Sequence, residues 1–361
     1  MFTFVKNEQG AKEALRIFLT RLLEEKRVDG VFVAATTPYS NLPMPTLIAS
    51  PEAMKNADPF APVAPFNAAR QAAALLRQTT RKKLAFVLRP CELRALVELT
   101  KLNQAVLEGS ILLGMECRGR MEKDLYLEEV KNNPDLSQAF FQKEDVEGSI
   151  CTACRACEQF VPGTCDLVIS VFGQDLSKGV GLNSRSETGG HLLGALSCPE
   201  SEMPTAHDPA VANTMESRKA AKEELLKATS EKIQTLEGFE TLVANCLNCY
   251  NCRVACPVCY CRECVFLTDV FAHEPSLLIR RAEKKGVIKM PVETTMFHLT
   301  RLAHIGHACV ACGHCTSVCP SHIPVADFFI TVGSKVQGLF DYAPGRDVNE
   351  PIPYLVFEDK K

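Results

Sequence analysis

The sequence predicts an α/β domain followed by a mainly α-helical domain built around two cysteine loops that hold metal clusters. Three observations predict it. Short apolar runs alternate with helical stripes through the first 145 residues or so. Two copies of a four-cysteine motif lie near the C-terminal end. The stretch between those copies reads as helix, and a compact β-type ferredoxin has no room for it.

The α/β part is read from periodicity. Ala11 to Lys26 carries Ala14, Leu15, Phe18, Leu22 and Leu23 on one helical stripe. Asp29-Gly30 turns the chain into the apolar run Val31–Ala35, a short buried strand. Asn67 to Arg77 is an alanine-rich helix. Leu84–Leu88 is a second strand, ending at Arg89-Pro90-Cys91, and Glu92–Leu102 is the helix that follows it. Ser110–Cys117 is a third strand. Strands that alternate with helices predict a parallel sheet. Cys91 and Cys117 then both stand at strand C-terminal ends, where open α/β sheets bind ligands. A lone buried cysteine is otherwise a small core hydrophobe.

The four-cysteine motifs are Cys246, Cys249, Cys252 and Cys256 before Pro257, and Cys309, Cys312, Cys315 and Cys319 before Pro320. Both read C-x2-C-x2-C-x3-C-P, the spacing of bacterial ferredoxin loops, in which the fourth cysteine serves the other cluster. Cys246, Cys249, Cys252 and Cys319 are thus expected around one [4Fe-4S] cluster, and Cys309, Cys312, Cys315 and Cys256 around a second. Paired C-x2-C is also a zinc-ribbon pattern. The third cysteine of each run and the proline after each fourth favour the cluster.

A further triplet, Cys151, Cys154 and Cys157, repeats C-x2-C-x2-C and is expected to hold a third cluster. Cys165, Cys117 or Cys91 is its fourth ligand, and zinc is the alternative. Asp166–Phe172 is then a strand. Cys259, Cys261 and Cys264 follow Cys256 closely. They are candidates for a fourth cluster completed by Cys198 or by a cysteine of the α/β domain, for a structural zinc site, or for thiols beside a cluster. Gly189-Gly190 is a candidate flavin or phosphate loop, and equally a plain turn leading into a helix.

Around these motifs, Cys198 to Ala210 is a polar, proline-bearing linker and Met215–Leu236 a charged, mostly solvated helix. Pro275–Lys285 and Val292–His307 are helices, the second carrying Phe297, Leu299, Leu302, Ala303 and Ile305. His298, His304 and His307 on it are expected to cap or pack rather than ligate. Ile323–Phe340 is the last helix, before a proline-bearing tail.

Composition narrows the function. The 361 residues are 46% hydrophobic and 23% charged with net charge -3. These are ordinary globular values, and they speak against a nucleic-acid binder. The eighteen cysteines are clustered: two before residue 150, five from Cys151 to Cys198 and eleven from Cys246 to Cys319. Clustering of that kind in a large chain without a secretory signal points to metal in a reducing cytoplasm. No run approaches the ~20 apolar residues of a membrane helix, so membrane attachment is expected only through a partner. G-x-G-x-x-G and P-loop motifs are absent.

The first 200 residues resemble the coenzyme F420 hydrogenase/dehydrogenase beta subunit family, which includes formate dehydrogenase beta subunits. The resemblance rests on Val28–Val33, on Arg89-Pro-Cys91 through Leu99, on Gly114-Met-Glu-Cys117, and on the Cys151/Cys154/Cys157 triplet with Asp166-Leu-Val-Ile-Ser-Val. The remainder is similar to the two-cluster extension of formate dehydrogenase beta chains and heterodisulfide-reductase-linked chains. It shows this in Cys249-Tyr-Asn-Cys252-Arg, Cys256 to Cys264, Phe297-His-Leu-Thr-Arg301 and Tyr342-Ala-Pro-Gly-Arg346. The resemblance implies four parts: an F420 hydrogenase beta-like α/β domain over 1–200 with its own cluster, a charged helical linker over 201–240, a helical two-cluster ferredoxin domain over 241–340, and a tail over 341–361.

It also implies FAD in the α/β domain. Flavin-bearing members begin with a glycine-rich stretch where this chain has only Gly10, followed by Lys12 and Glu13, whose side chains oppose close backbone approach to a phosphate. The expected function is an iron–sulfur electron-transfer subunit. Its partners would be a formate dehydrogenase or hydrogenase catalytic subunit on one side, and a heterodisulfide-reductase-type flavoprotein or ferredoxin on the other. The alternative is an FAD-containing flavoenzyme subunit acting on F420 or NAD(P)H, in which the cofactor does the chemistry and the protein orients it.

Overall fold

The computed structural model describes residues 1–77, 82–143, 145–268, 274–286 and 293–355. The N-terminal part is a seven-stranded mixed sheet in the order β1-β7-β6-β5-β4-β2-β3. Its strands are β1 (Phe2–Lys6), β2 (Gly30–Thr37), β3 (Ser40–Ile48), β4 (Leu84–Leu88), β5 (Ile111–Met115), β6 (Leu167–Ser170) and β7 (Gly179–Ser184). The helices among them are α1 (Ala11–Glu24), α2 (Ala69–Leu75), α3 (Pro90–Lys101), α4 (Lys123–Asn132), α5 (Leu136–Gln142), α6 (Thr152–Arg155) and α7 (Glu187–Ala195). The chain continues through α8 (His207–Lys232), α9 (Leu236–Val243), α10 (Asn251–Ala255), α11 (Pro275–Lys285), α12 (Glu293–Ile305), α13 (His314–Ser317) and α14 (Val325–Leu339). The result is an α/β domain followed by a mainly helical one.

The four apolar runs read from the sequence form β2, β4, β5 and β6, the parallel centre of the sheet. Three further strands were not expected, and they make the sheet mixed rather than parallel. β3 pairs antiparallel with β2 and carries Pro43 and Pro45, which lack an N–H to donate. Such residues are tolerated on an edge strand, which β3 is. β7 runs antiparallel to β6, and β1 closes the opposite edge against β7. The charged helix also begins earlier than expected: α8 starts at His207 within the supposed linker, with Pro209 in its first turn, where the missing N–H costs nothing.

Two large apolar cores and one small cluster result among the described residues. One lies between α1 and the sheet, with Leu15, Leu19, Leu22, Val31, Leu113 and Ile169 wholly or almost wholly buried. The second joins the two parts of the chain: Phe32, Phe86 and Leu96 of the α/β domain pack in one cluster with Phe239, Phe297 and Phe328 of the helical domain. The tail after α14 lies on its own chain. Tyr342 Oη donates to the buried Glu98 carboxylate of α3 at 2.7 Å. Arg94, also on α3, donates to the carbonyls of Pro344 (2.8 Å) and Val310 (3.3 Å).

Gly189 sits in the first turn of α7, whose N-cap Ser186 accepts a hydrogen bond from the Gly189 N–H. A Cβ there would stand 2.1 Å from the Asp166 carbonyl oxygen, so the helix can approach the start of β6 only through glycine. Gly190 faces open space, with nothing nearer than Ser184 Oγ at 4.0 Å. Gly189→Ala is expected to destabilise the fold by about 1–3 kcal/mol through overpacking. Gly190→Ala should instead be neutral or stabilising by up to about 1 kcal/mol. Urea unfolding of the two variants checks the contrast.

Candidate metal centres

The two ferredoxin-type loops share one backbone design. In the first, Asn248 and Tyr250 take positive φ (52° and 59°); in the second, Ala311 and Gly313 do so at the matching positions (56° and 75°). These left-handed residues curl each loop, and the short helices α10 and α13 then carry the chain away. α10 and α13 lie against each other, which takes each fourth cysteine across to the opposite loop.

The structure therefore groups the cysteines crosswise. Burial, with the charges of Cys246, Cys249 and Cys319 around it, pushes the Cys252 thiol up to about 11. Burial, with Cys256 next in effect, pushes Cys309 to about 11 and Cys312 to about 12. Cys256, Cys309, Cys312 and Cys315 line one enclosed, largely apolar cavity with Arg301, Phe329 and Ile330. A thiolate held there without a partner is costly, and ligation of a metal deprotonates a thiol outright.

The third set lies at the C-terminal ends of the parallel strands. Cys117 follows β5, Cys91 opens α3 after β4, and Cys151 leads into α6, which presents Cys154. Cys151 Sγ and Cys154 Sγ are 3.3 Å apart, and their hydrogen bond pulls the Cys154 thiol down. Cys91, Cys117, Cys154 and Cys157 line a cavity with Arg89, Arg120, Arg218 and His314. Of the three candidates for a fourth ligand, Cys117 and Cys91 thus face the triplet. Cys165 packs instead with the core that joins the two parts, its thiol pushed up to about 11 by burial, with Arg185 and Asp166 as its charged neighbours.

The second and third cavities share a wall, because Cys312 and Ala311 line both. Gly313 makes this possible: a Cβ on it would stand 2.5 Å from Ala153 Cβ of α6. The loop of Cys309–Cys315 is therefore pressed directly onto the loop of Cys151–Cys157.

The remaining cysteines are less gathered. Cys259 is near Cys256 and Cys261, Cys261 is exposed, and Cys264 is half-buried. Cys198 sits beside Arg21 of α1 and Glu25 at that helix's C-terminal cap. Among the described residues no set of cysteine, histidine or carboxylate side chains closes around a single point as one mononuclear ion requires. A cubane instead takes each thiolate on a different iron.

Four arginines to which the sequence assigns no role are buried at or near these sites. Arg301, Arg120, Arg218 and Arg253 are all buried, and the Nε of each lacks a hydrogen-bond acceptor. Arg301 donates to Cys252 Sγ at 3.2 Å. Arg218 lies over the Phe160 ring at 4.6 Å and reaches the Cys157 carbonyl at 3.5 Å. A usable signal was present for Arg301: Phe297 and Arg301 are spaced i, i+4, which puts an aromatic ring and a cation on one helical face. All-thiol donor sets in dry cavities, faced by buried guanidinium N–H groups with no acceptor, fit an anionic iron–sulfur cluster better than an empty polar core. Of the three histidines expected on this helix, His298 and His304 lie on α12 and His307 just beyond its end. His298 is buried among Phe297 and Phe328, its pKa lowered to about 4 by burial and by Arg301. His307 packs against Tyr354, and His304 is exposed.

Residues 243–323 match the family model described as the 4Fe-4S dicluster domain. The chain is 26% identical over 366 residues to the F420-dependent formate dehydrogenase subunit beta of Methanocaldococcus jannaschii, covering 91% of this chain and 90% of that relative. It is 25% identical over 305 residues to the F420-dependent formate dehydrogenase 1 subunit beta of Methanococcus maripaludis, 74% of each. Among solved structures, a chain of the F420-reducing [NiFe] hydrogenase complex from Methanosarcina barkeri matches with a TM-score of 0.47 and 14% identity, over 65% of this chain and 93% of that one.

Proposed function

We propose that this chain, a relative of F420-dependent formate dehydrogenase beta subunits that ends in a 4Fe-4S dicluster domain, is a relay subunit of a larger oxidoreductase. Three sites line up in it. The first is Cys246, Cys249, Cys252 and Cys319. The second is Cys309, Cys312, Cys315 and Cys256. The third is Cys151, Cys154 and Cys157, completed by Cys117 or Cys91. The observation that carries the reading is the wall shared through Cys312, which sets the second and third sites side by side.

When bound, [4Fe-4S] clusters supply one-electron carriers. The chain supplies thiolates, dry walls and fixed cations. It also leaves the two ends of the row open. At the first site Cys249 is exposed, and Leu247 and Val254 beside it in the sequence are 64% and 59% exposed, an apolar face of the kind a partner subunit covers. At the third site Arg218 lines both the thiol cavity and a solvent cleft of about 430 Å³ that holds Arg118, Asp145, Glu147, Asn213 and Ser217. A formate dehydrogenase or hydrogenase catalytic subunit at one end, and a heterodisulfide-reductase-type flavoprotein or ferredoxin at the other, fit this two-ended arrangement. No described helix is long and apolar enough to cross a membrane.

An FAD-bearing subunit acting on F420 or NAD(P)H draws less support. Gly189 is accounted for by helix packing, and the N–H groups at the start of α7 face Ser186, which in turn donates to Asp166. The test is a reductive titration of the anaerobically purified chain with a viologen dye. About three electrons per chain, one for each cluster, with no flavin released on denaturation, is the expected result. Uptake of two further electrons with stoichiometric flavin would replace the relay reading with the flavoenzyme one.

A further inference from the structure

Buried guanidinium groups stand where neighbouring cysteine sets meet: Arg301 between the first and second, and Arg120, with Arg218 in the same cavity, at the third. Arg301, on α12, is 4% exposed. It donates to Cys252 Sγ and to the Cys252 carbonyl, both at 3.2 Å, and also lines the cavity of Cys256, Cys309, Cys312 and Cys315. The Phe297 and Phe329 rings hold it, their centroids 5.5 and 4.8 Å from its guanidinium carbon. Arg120, also 4% exposed, donates to Ser317 Oγ at 2.6 Å and lies 3.5 Å from Glu122. It lines the cavity of Cys91, Cys117, Cys154, Cys157 and Cys312. Neither Nε has an acceptor.

A guanidinium buried away from water is costly unless an anion faces it. What faces Arg301 is sulfur: Cys252 Sγ lies at 3.2 Å, and Cys256, Cys309, Cys312 and Cys315 line the same cavity. Arg120 has the Glu122 carboxylate at 3.5 Å and shares its cavity with Cys91, Cys117, Cys154, Cys157 and Cys312. Four thiolates outweigh the charge of a cubane core, so each loaded site is anionic and becomes more so on reduction. Net charge and hydrogen bonds to the sulfurs are among the terms that set cluster potentials, and both act strongly in a dry site.

We propose that Arg301 and Arg120 are the potential-setting cations of the relay, each placed at a junction where it favours the reduced state of the sites on both sides. Arg301 serves the first and second sites, and Arg120 the second and third. The positions explain why each charge is buried beside two thiol sets rather than left in solvent. The proposal rests on the reading of the cysteine sets as cluster sites. The iron and sulfide content of the parent protein tests that reading alone, and the midpoints of arginine variants test the arginines.

The experiment is an EPR-monitored redox titration of the full chain as Arg301→Met, Arg301→Gln, Arg301→Lys and the same three changes at Arg120. The neutral variants are expected to lower the midpoints of the two adjoining clusters by at least tenfold in the reduction equilibrium, which is 59 mV for one electron. The pairs moved at the two positions should have one cluster in common. The lysine variants, which keep the charge, should recover most of the shift. Unchanged midpoints in the neutral variants, or lysine variants shifted as far as methionine ones, would overturn the proposal. Iron lost from both neutral variants and kept in lysine would support it, since charge is then what the site needs. Iron lost alike from all three would assign the arginines to packing and refute it.

Discussion

Serine in place of Cys319 is expected to strip iron from the site of Cys246, Cys249 and Cys252, and to leave the site of its own loop intact. Serine in place of Cys256 should do the reverse, emptying or degrading the site of Cys309, Cys312 and Cys315. The physical reason is the crossing of α10 and α13, which places each fourth cysteine beside the other loop. Each change should lower the iron content by up to about four atoms per chain. EPR should show which cluster is lost, because the two differ in surroundings: Arg301 donates to a sulfur of the first at 3.2 Å, while at the second it lines the cavity beside Phe329 and Ile330. Loss of the same cluster in both variants would show that each loop completes its own site.

The second large effect is expected at Glu98. This carboxylate is fully buried on α3. It accepts from Tyr342 Oη at 2.7 Å, from the Gly345 N–H at 2.8 Å and from Lys101 Nζ at 3.0 Å. Lys101 is itself buried and lies 4.6 Å from the centre of the Tyr342 ring. Glu98→Ala would leave a hydroxyl and an amide without this acceptor, and would leave the buried Lys101 ammonium with only Tyr342 Oη at 2.8 Å and Glu350 at 3.9 Å. A cost of about 3–5 kcal/mol follows for breaking a buried ion pair from one side. Tyr342→Phe removes one donor and should cost about 1–3 kcal/mol. Urea unfolding measures both, and limited proteolysis should cut near residues 341–350 first in the weaker variant. A Glu98→Ala protein as stable as its parent would mean that the tail does not depend on this anchor.

The parts of the molecule that the sequence makes legible are local. The doubled cysteine motif fixes loop shape within twelve residues or so, because two-residue gaps and the left-handed residues at Asn248, Tyr250, Ala311 and Gly313 act inside one turn. The central strands are equally plain, since β2, β4, β5 and β6 are short apolar runs of the kind a parallel sheet buries on both faces. Cys91 and Cys117 were expected at strand ends by the same logic, and the parallel register brings them to one cavity.

What escaped the sequence depends on distant partners. β3 carries prolines that hide an edge strand, and β1 is visible only once β7 exists to pair with it. The choice among Cys165, Cys117 and Cys91 turns on which side of the sheet each thiol leaves, which no spacing records. The buried arginines escaped for the same reason. Arg120 and Arg218 look like ordinary surface cations until α6, α8 and the second loop close over them. Glu98 gives no hint of its role either, since its partners lie on the tail, about 250 residues further along the chain.

The measurement that tests the account most directly is iron, acid-labile sulfide, zinc and flavin in the anaerobically purified chain. The account predicts about twelve irons and as many sulfides, from three cubanes at four irons each, without zinc. About eight irons would contradict the third site at the sheet's C-terminal edge. Stoichiometric zinc in a colourless protein would contradict the relay altogether.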